Sequence, residues 1–418
     1  MEWRNLPWLE SLLKDYPSMK EKDMDHNFSL DLKTVPNELK FLLEILRNKN
    51  REVIETLLLG EYQKINWDLF LKLAVHHRIY PIIYSRLKQF NCELIPSYII
   101  QSLFQLYKKN TFQMLFLCSE MEQINNMCSE NQIPVIFLKG PILAYELYGD
   151  ISLRTSVDLD IIIPIKDLKK MEDLLINYGF EKDDYIETVL NDWKWRHHHI
   201  TFYHPKKGIK MEVHWRLNPG PGSEPSFNKL WERRKRSTIT TNPIFFLGVE
   251  DLFLFLVTHG SRHGWSRLRW LVDIDRIVKS KPDWNKAYIH LKHYHYQHIG
   301  GQSLLLAAAL LKTPLNKNVI PFIRGNKPGR LAQEAVFYFR KMVNLHTNPV
   351  PLDVSNYHKH HLFSLMSIQQ RTFFILSFLY PYPDDAKTLP LPKLLHFLYF
   401  PLRPLLWVWR KSKSHAFQ

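Results

Sequence analysis

Between Ile133 and Leu217 the apolar residues of this chain leave helical spacing and fall into short continuous or alternating runs; from Gly248 the helical spacing returns. Residues three and four apart share a helix face, whereas alternation marks a strand with one face buried. The chain therefore reads as a strand-rich insert of about 85 residues between two helical regions. Before the insert, from Asn37 to about Asn131, ELKFLLEIL and WDLFLKLA carry the helical period, with Trp67, Phe70, Leu71 and Ala74 on one face. The expected organisation is a helical region over 1–131, an α/β core over 132–217 and a second helical region over 218–418. No internal repeat is visible.

Within the insert, PVIFL is a short apolar strand that runs into a turn at Lys139, Gly140 and Pro141. PILAYELYG then reads as a short helix, with Ile142, Leu143, Leu147 and Tyr148 on one face and Gly149 closing it. VDLDIII is a strand with Val157, Leu159 and Ile161 on one face and Asp158 and Asp160 on the other. DLKKMEDLLINYGF is a helix buried through Leu168, Met171, Leu174 and Leu175 and ended near Gly179. HHHITFYH and IKMEVHWRL, joined by the turn PKKG, form a hairpin. In its second strand Lys210, Glu212, His214 and Arg216 alternate with Met211, Val213, Trp215 and Leu217, which presents a third carboxylate on a polar face. PGPGSEP, after Asn218, is a loop.

Three carboxylates from two strands, with a lysine in a turn and Arg154 close by, suggest phosphate and metal chemistry. Two acids two residues apart on one strand can share hard cations, because Mg²⁺ takes oxygen ligands and bridges to substrate phosphates. A third acid completes a site for two ions, one activating the attacking oxygen and one steadying the leaving diphosphate. Lys139 and Arg154 would neutralise phosphate oxygens, beside Gly140 in the turn. His214 shares the face of Glu212 and can orient an acceptor or act as a base. The competing readings are a solvated strand edge for Asp158 and Asp160 and a structural role for His214.

Charge narrows the partners. The 56 Lys and Arg against 41 Asp and Glu give +15 before the 20 histidines are counted, which suits nucleic acid, anionic lipid or phosphorylated small molecules. Part of that excess also follows from a Lys- and Ile-rich composition. The 45% hydrophobic and 23% charged residues describe an ordinary folded chain rather than a disordered or fibrous one. Prolines (25) outnumber glycines (14), and neither a Walker nor a dinucleotide fingerprint occurs. Cys92, Cys118 and Cys128 form no CxxC pair, which fits a reducing compartment and argues against a thiolate zinc site. MEWRNLPWLESLLKDYP has no apolar run with a cleavage site, so a cytoplasmic location is expected.

LKGPILAYELYGDISLRTSVDLDIII, with MEVHWRL downstream and THGSRHGWSRLRWLVDID beyond it, resembles the uncharacterised bacterial nucleotidyltransferase family of the DNA polymerase β-like superfamily. The resemblance runs from about residue 40 to beyond residue 400, with WDLFLKLAVHHRIYPIIYSRL early and FPLRPLL late. It implies an α/β (α+β) nucleotidyltransferase core with a small mixed sheet in helical surroundings. Asp158 and Asp160 would be ligands of Mg²⁺ or Mn²⁺, and Glu212 the third acid. Members of the family occur in biosynthetic clusters for lasso and other ribosomal peptides, which implies tailoring. One departure is plain: where the superfamily holds triphosphate on a Gly-Ser turn, this chain has Gly140-Pro141, further upstream of the acids, and Pro141 offers neither hydroxyl nor N–H.

The remaining histidines divide. His259 and His263, one helical turn apart, would face the core site or pack beside Trp265 and Trp270. His197 and His199 alternate onto one strand face, an HxH without zinc-like companions. HYHYQH at 293–298 and HKHH at 358–361 read as solvated or partly buried histidines. The apolar, basic-ended run LPKLLHFLYFPLRPLLWVWRKSK, broken by prolines, reads as a core helix pair or a weak membrane-surface element. The expected activity is metal-dependent transfer of a nucleotidyl group from a nucleoside triphosphate to a hydroxyl or phosphate. The alternatives are hexose transfer from a nucleotide sugar to a phosphorylated peptide on the same metal site, and a non-catalytic nucleic-acid or partner-binding protein.

Overall fold

The computed structural model describes residues 29–88, 94–347 and 349–415. Cys92 and the N-terminal segment read for a signal peptide lie outside the described residues.

The opening region is helical as its spacing predicts: α1 (Asn37–Arg47), α2 (Arg51–Leu59), α3 (Trp67–His76), α4 (Tyr80–Leu87) and the 34-residue α5 (Ser97–Glu130). Asn50 and Asn66 start α2 and α3 by accepting backbone N–H groups of Glu52 and Leu69, donors that a helix leaves unpaired in its first turn. In α3, Phe70 and Ala74 are fully buried and Trp67 and Leu71 partly so.

Seven strands follow in one mixed sheet, β1 (Ile136–Phe137), β2 (Asp158–Ile162), β3 (Glu181–Lys182), β4 (His199–His204), β5 (Ile209–His214), β6 (Lys235–Ser237) and β7 (Ile244–Phe246), in the order β3-β4-β5-β2-β1-β7-β6. The central pair β2–β5 is parallel, and β4–β5 is the antiparallel hairpin whose turn Gly208 closes at φ 65°. Between β1 and β2 runs α6 (Pro141–Tyr148), and after β2 runs α7 (Leu168–Asn177). The edge strands β6 and β7 extend the sheet beyond residue 217, with β7 parallel to β1. Three residues are too few to show a period, and these two strands left no sequence signal.

One face of the sheet is apolar. Leu159, Ile161, Met211, Val213 and Phe202 pack against Met114, Leu117 and Met121 of α5 and Met171 and Leu175 of α7. Cys128 is buried in the same core and donates to Met171 Sδ at 3.8 Å.

The helices on either side of the insert share a second core. Beyond the sheet come α8 (Val249–Arg262), α9 (Leu268–Lys279), α10 (Trp284–His293), α11 (Gln297–Leu311), α12 (Asn326–Arg340), α13 (Leu352–Leu365) and α14 (Ile368–Ser377). Phe41, Leu42, Ile45 and Leu73 of the opening helices join Leu254, Ile274, Leu306 and Ala335 in one cluster. The last run departs from a core helix pair. It forms a 3₁₀ stretch and then α15 (Tyr399–His415), in which Tyr399 and Leu406 are buried with Val189 while Leu405 and Val408 are exposed. Among the described residues, no helix is long and apolar enough to cross a membrane.

Candidate active site

The other face of the central strands carries the acids. Because β2 and β5 run parallel in a fixed register, Asp158 lies beside Lys210, Asp160 beside Glu212 and Ile162 beside His214. The hairpin register then sets His199 beside His214 and Thr201 beside Glu212. Side chains alternate across a strand, so these polar groups emerge on the face away from α5.

Asp160 is completely buried, and among the described residues no well-directed hydrogen bond reaches either carboxylate oxygen. Its charge is met by Lys139, whose Nζ lies 2.9 Å from Oδ1. Gly140 brings the lysine there: its φ of 85° turns the chain sharply between β1 and Pro141, the first residue of α6. The turn is also tied to β2 by the Leu138 N–H, which donates to the Asp160 carbonyl at 2.9 Å.

Around Asp160 stand Glu212 and three histidines. His214 Nε2 is 3.5 Å from Asp160 Oδ1 and 3.5 Å from Glu212 Oε2. His199 Nε2 is 3.9 Å from Glu212 Oε2, and the Lys210 ammonium donates to Glu212 Oε1 at 2.6 Å. Burial pushes the Glu212 carboxyl up, but His214, His199 and Lys139 together hold it well below the usual carboxylate range. Burial pushes His214 down, yet Asp160 and Glu212 carry it above its ordinary value. His199 is pushed down to about 3 by burial and by His214, and His198 is pushed down by burial and Arg262.

Asp160, Glu212 and His214 bring ligand atoms within 4.8 Å of one another, and so do His198, His199 and His214. The first group fits a divalent cation: two carboxylates and an imidazole converge, and the buried Asp160 oxygens lack hydrogen bonds. Asp158 is not in that group. It is half-buried on the same strand face, with the Ser156 hydroxyl 3.3 Å from its Oδ1.

Arg154 is held elsewhere. It is 2% exposed and forks onto Asp273 of α9, Nε to Oδ1 at 3.0 Å and Nη2 to Oδ2 at 3.1 Å. Tyr148 donates to the same carboxylate at 2.6 Å. The arginine whose charge reaches Glu212 is Arg262, at the end of α8, and its Nη1 is buried without a hydrogen-bond partner among the described residues. Sequence reasoning missed this residue, although it stands between His259 and His263 in the motif SRHGW.

Those two histidines, read as facing the core site or packing beside Trp265 and Trp270, lie against Trp270. Their rings are 4.7 Å apart and each lies 5.4 Å from Trp270. Burial depresses both, and Lys139 adds to the depression of each. Phe255, one turn earlier in α8, lies 5.8 Å from Lys139 Nζ. Gly260 lets the buried Trp265 pack on this helix, since a Cβ there would stand 2.4 Å from the indole. The strand histidines group differently from the HxH pattern: His199 is bonded through Nδ1 to Nε2 of His198, at 3.1 Å, and it is His198 that joins the cluster, not His197. The later histidine runs are structural: His298 bonds the Leu365 carbonyl, His358 the Tyr338 hydroxyl, and His361 Glu334 and the Ser261 carbonyl.

The central parallel pair of the mixed sheet thus sets acid beside acid, with a lysine from the turn after β1. A family model described as uncharacterised nucleotidyltransferase matches residues 63–312, well over half of the chain, and the chain belongs to that family. No curated protein and no solved structure matches it.

Proposed function

We propose that the protein is a cytoplasmic, divalent-metal-dependent nucleotidyltransferase that moves a nucleotidyl group from a nucleoside triphosphate to a hydroxyl or phosphate acceptor, in the tailoring of a peptide product. The observation that carries the reading is the convergence of Asp160, Glu212 and His214 beside Lys139 in a chain of this family. Asp160 and Glu212, with Asp158 at the rim, would hold the cation, which when bound supplies charge neutralisation at the transferring phosphorus. Lys139 and Arg262 would meet phosphate oxygens. The acceptor oxygen bonds to the α-phosphorus as the bond to the leaving diphosphate breaks. Glu212 would complete the metal shell; held well below the usual carboxylate range, it would take the acceptor's proton only weakly.

A second reading keeps the site and changes the donor to a nucleotide sugar, with a hexose passing to a phosphorylated peptide. It is favoured by Pro141 at the start of α6, which has no N–H to offer a triphosphate. A thermal-shift screen with Mg²⁺ or Mn²⁺, the four nucleoside triphosphates and common nucleotide sugars decides between them, because a ligand of the native state raises apparent stability. A metal-dependent shift with one triphosphate, lost in Asp158→Asn plus Asp160→Asn, is expected. A shift with nucleotide sugars alone selects the second reading, and salt-sensitive nucleic-acid binding indifferent to both substitutions would replace both.

A further inference from the structure

Resting on the reading of Asp160 and Glu212 as cation ligands, we propose that His199 and His214 complete a mixed imidazole and carboxylate centre. Such a centre selects a first-row transition-metal dication, of which Co²⁺ and Zn²⁺ are representatives, over Mg²⁺. Oδ2 of Asp160 and Nε2 of His214 are buried without hydrogen-bond partners among the described residues, and Nε2 lies 3.5 Å from Asp160 Oδ1, which the Lys139 ammonium also meets at 2.9 Å. Buried polar atoms are normally satisfied, and two on adjoining side chains mark a place built for something else.

The spacing of Asp160, Glu212 and His214 matches one ion, and His199 stands at the Glu212 side of it. Two ligand atoms each about 2.1 Å from a metal at a tetrahedral angle stand about 3.4 Å apart. Nε2 of His214 is 3.5 Å from Asp160 Oδ1 and from Glu212 Oε2, and His199 Nε2 is 3.9 Å from Glu212 Oε2. The far nitrogen of His214 faces the Arg216 carbonyl at 3.3 Å. With a cation taking the place of the Nε2 proton, a ring donating there would direct its Nε2 lone pair at that cation, which is how metal-binding histidines are oriented by their outer partners. His198 and His199 form a second group with His214, their ligand atoms within 4.8 Å of one another, so His214 is shared by both groups.

Mg²⁺ prefers oxygen and sheds water reluctantly, so imidazoles add little to its binding. Later first-row ions accept imidazole readily. An all-oxygen centre would draw nothing from His199, whereas a mixed one draws affinity from both rings.

Titrating the full chain with Co²⁺, followed by visible absorption and equilibrium dialysis, tests this directly with Mg²⁺ as competitor. One Co²⁺ should bind per chain, and a roughly hundredfold excess of Mg²⁺ should displace less than half of it. His199→Asn and His214→Asn should each weaken Co²⁺ binding at least about tenfold while changing Mg²⁺ binding less than about threefold. Displacement of Co²⁺ by a comparable concentration of Mg²⁺, or variants that bind Co²⁺ like wild type, would overturn the proposal and leave nucleotidyl transfer standing. Wild-type protein that binds neither ion would remove the metal from both readings. The competition needs no substitution, so selectivity is decided even where a variant fails to fold.

Discussion

Asp160 is completely buried, and a carboxylate in such a place needs partners: the Lys139 ammonium stands 2.9 Å away and His214 Nε2 3.5 Å away. Removing that charge removes the point on which the cluster converges. Asp160→Asn and Glu212→Gln should each lower turnover at least about a hundredfold, since even the outer partners of metal ligands are worth 10–100-fold. Steady-state assays on the donor named by the thermal-shift screen check this; a variant retaining wild-type turnover would strip its residue of the assigned role. Gly140→Ala acts through the backbone. A side chain at φ 85° and ψ −145° costs about 1–3 kcal/mol, so the urea midpoint should fall and donor affinity with it as Lys139 moves. At this scale the face of each acid was legible from strand alternation, and Lys139 from its place in the turn before Gly140, while the β2–β5 register that sets Asp160 beside Glu212 is tertiary. Arg262 was not legible, because nothing in local spacing says which arginine a distant helix carries over a sheet.

Arg154 and Asp273 tie the segment before β2 to α9, 119 residues away in sequence. Both are buried, so the pair is a strut between the sheet and the helical region rather than a phosphate contact. Asp273→Ala leaves a buried guanidinium unpaired and should cost about 3–5 kcal/mol in urea denaturation. Arg154→Met with Asp273→Leu should recover most of that loss, because well-packed apolar replacements of a buried pair are commonly neutral or stabilising. If the double variant were as unstable as the single one, the strut reading would be wrong. Sequence proximity misled here: Arg154 lies four residues before Asp158, yet its chain is extended and its side chain leaves for α9. The longer elements were readable because α6, α7 and the hairpin each bring their own stop, at Gly149, Gly179 and Gly208, all at positive φ. β6 and β7 exist through pairing with each other and with β1, which no local pattern encodes.

The whole molecule joins the two sequence-distant helical regions through one core, and the second region buries histidines of its own. Away from the candidate site, His298 is pushed down to about 3 by burial and by Lys327, and His358 to about 3 by burial and by His361. The unfolded chain takes up these protons below about pH 6.5, while the folded chain refuses them until about pH 3. Their contribution is therefore intact above pH 6.5 and is lost progressively as pH falls, at about 1.4 kcal/mol per pH unit for each ring. Between pH 6.5 and 5.5 the two together should lower unfolding free energy by roughly 2 kcal/mol, before the other buried histidines are counted. Urea midpoints measured across that interval should fall steeply for wild type and less steeply for His298→Gln with His358→Gln. An equal slope in both would mean that these rings are protonated in the folded chain. The acid sensitivity would then belong to the other histidines that burial holds below their ordinary value, such as His77, His259 and His263.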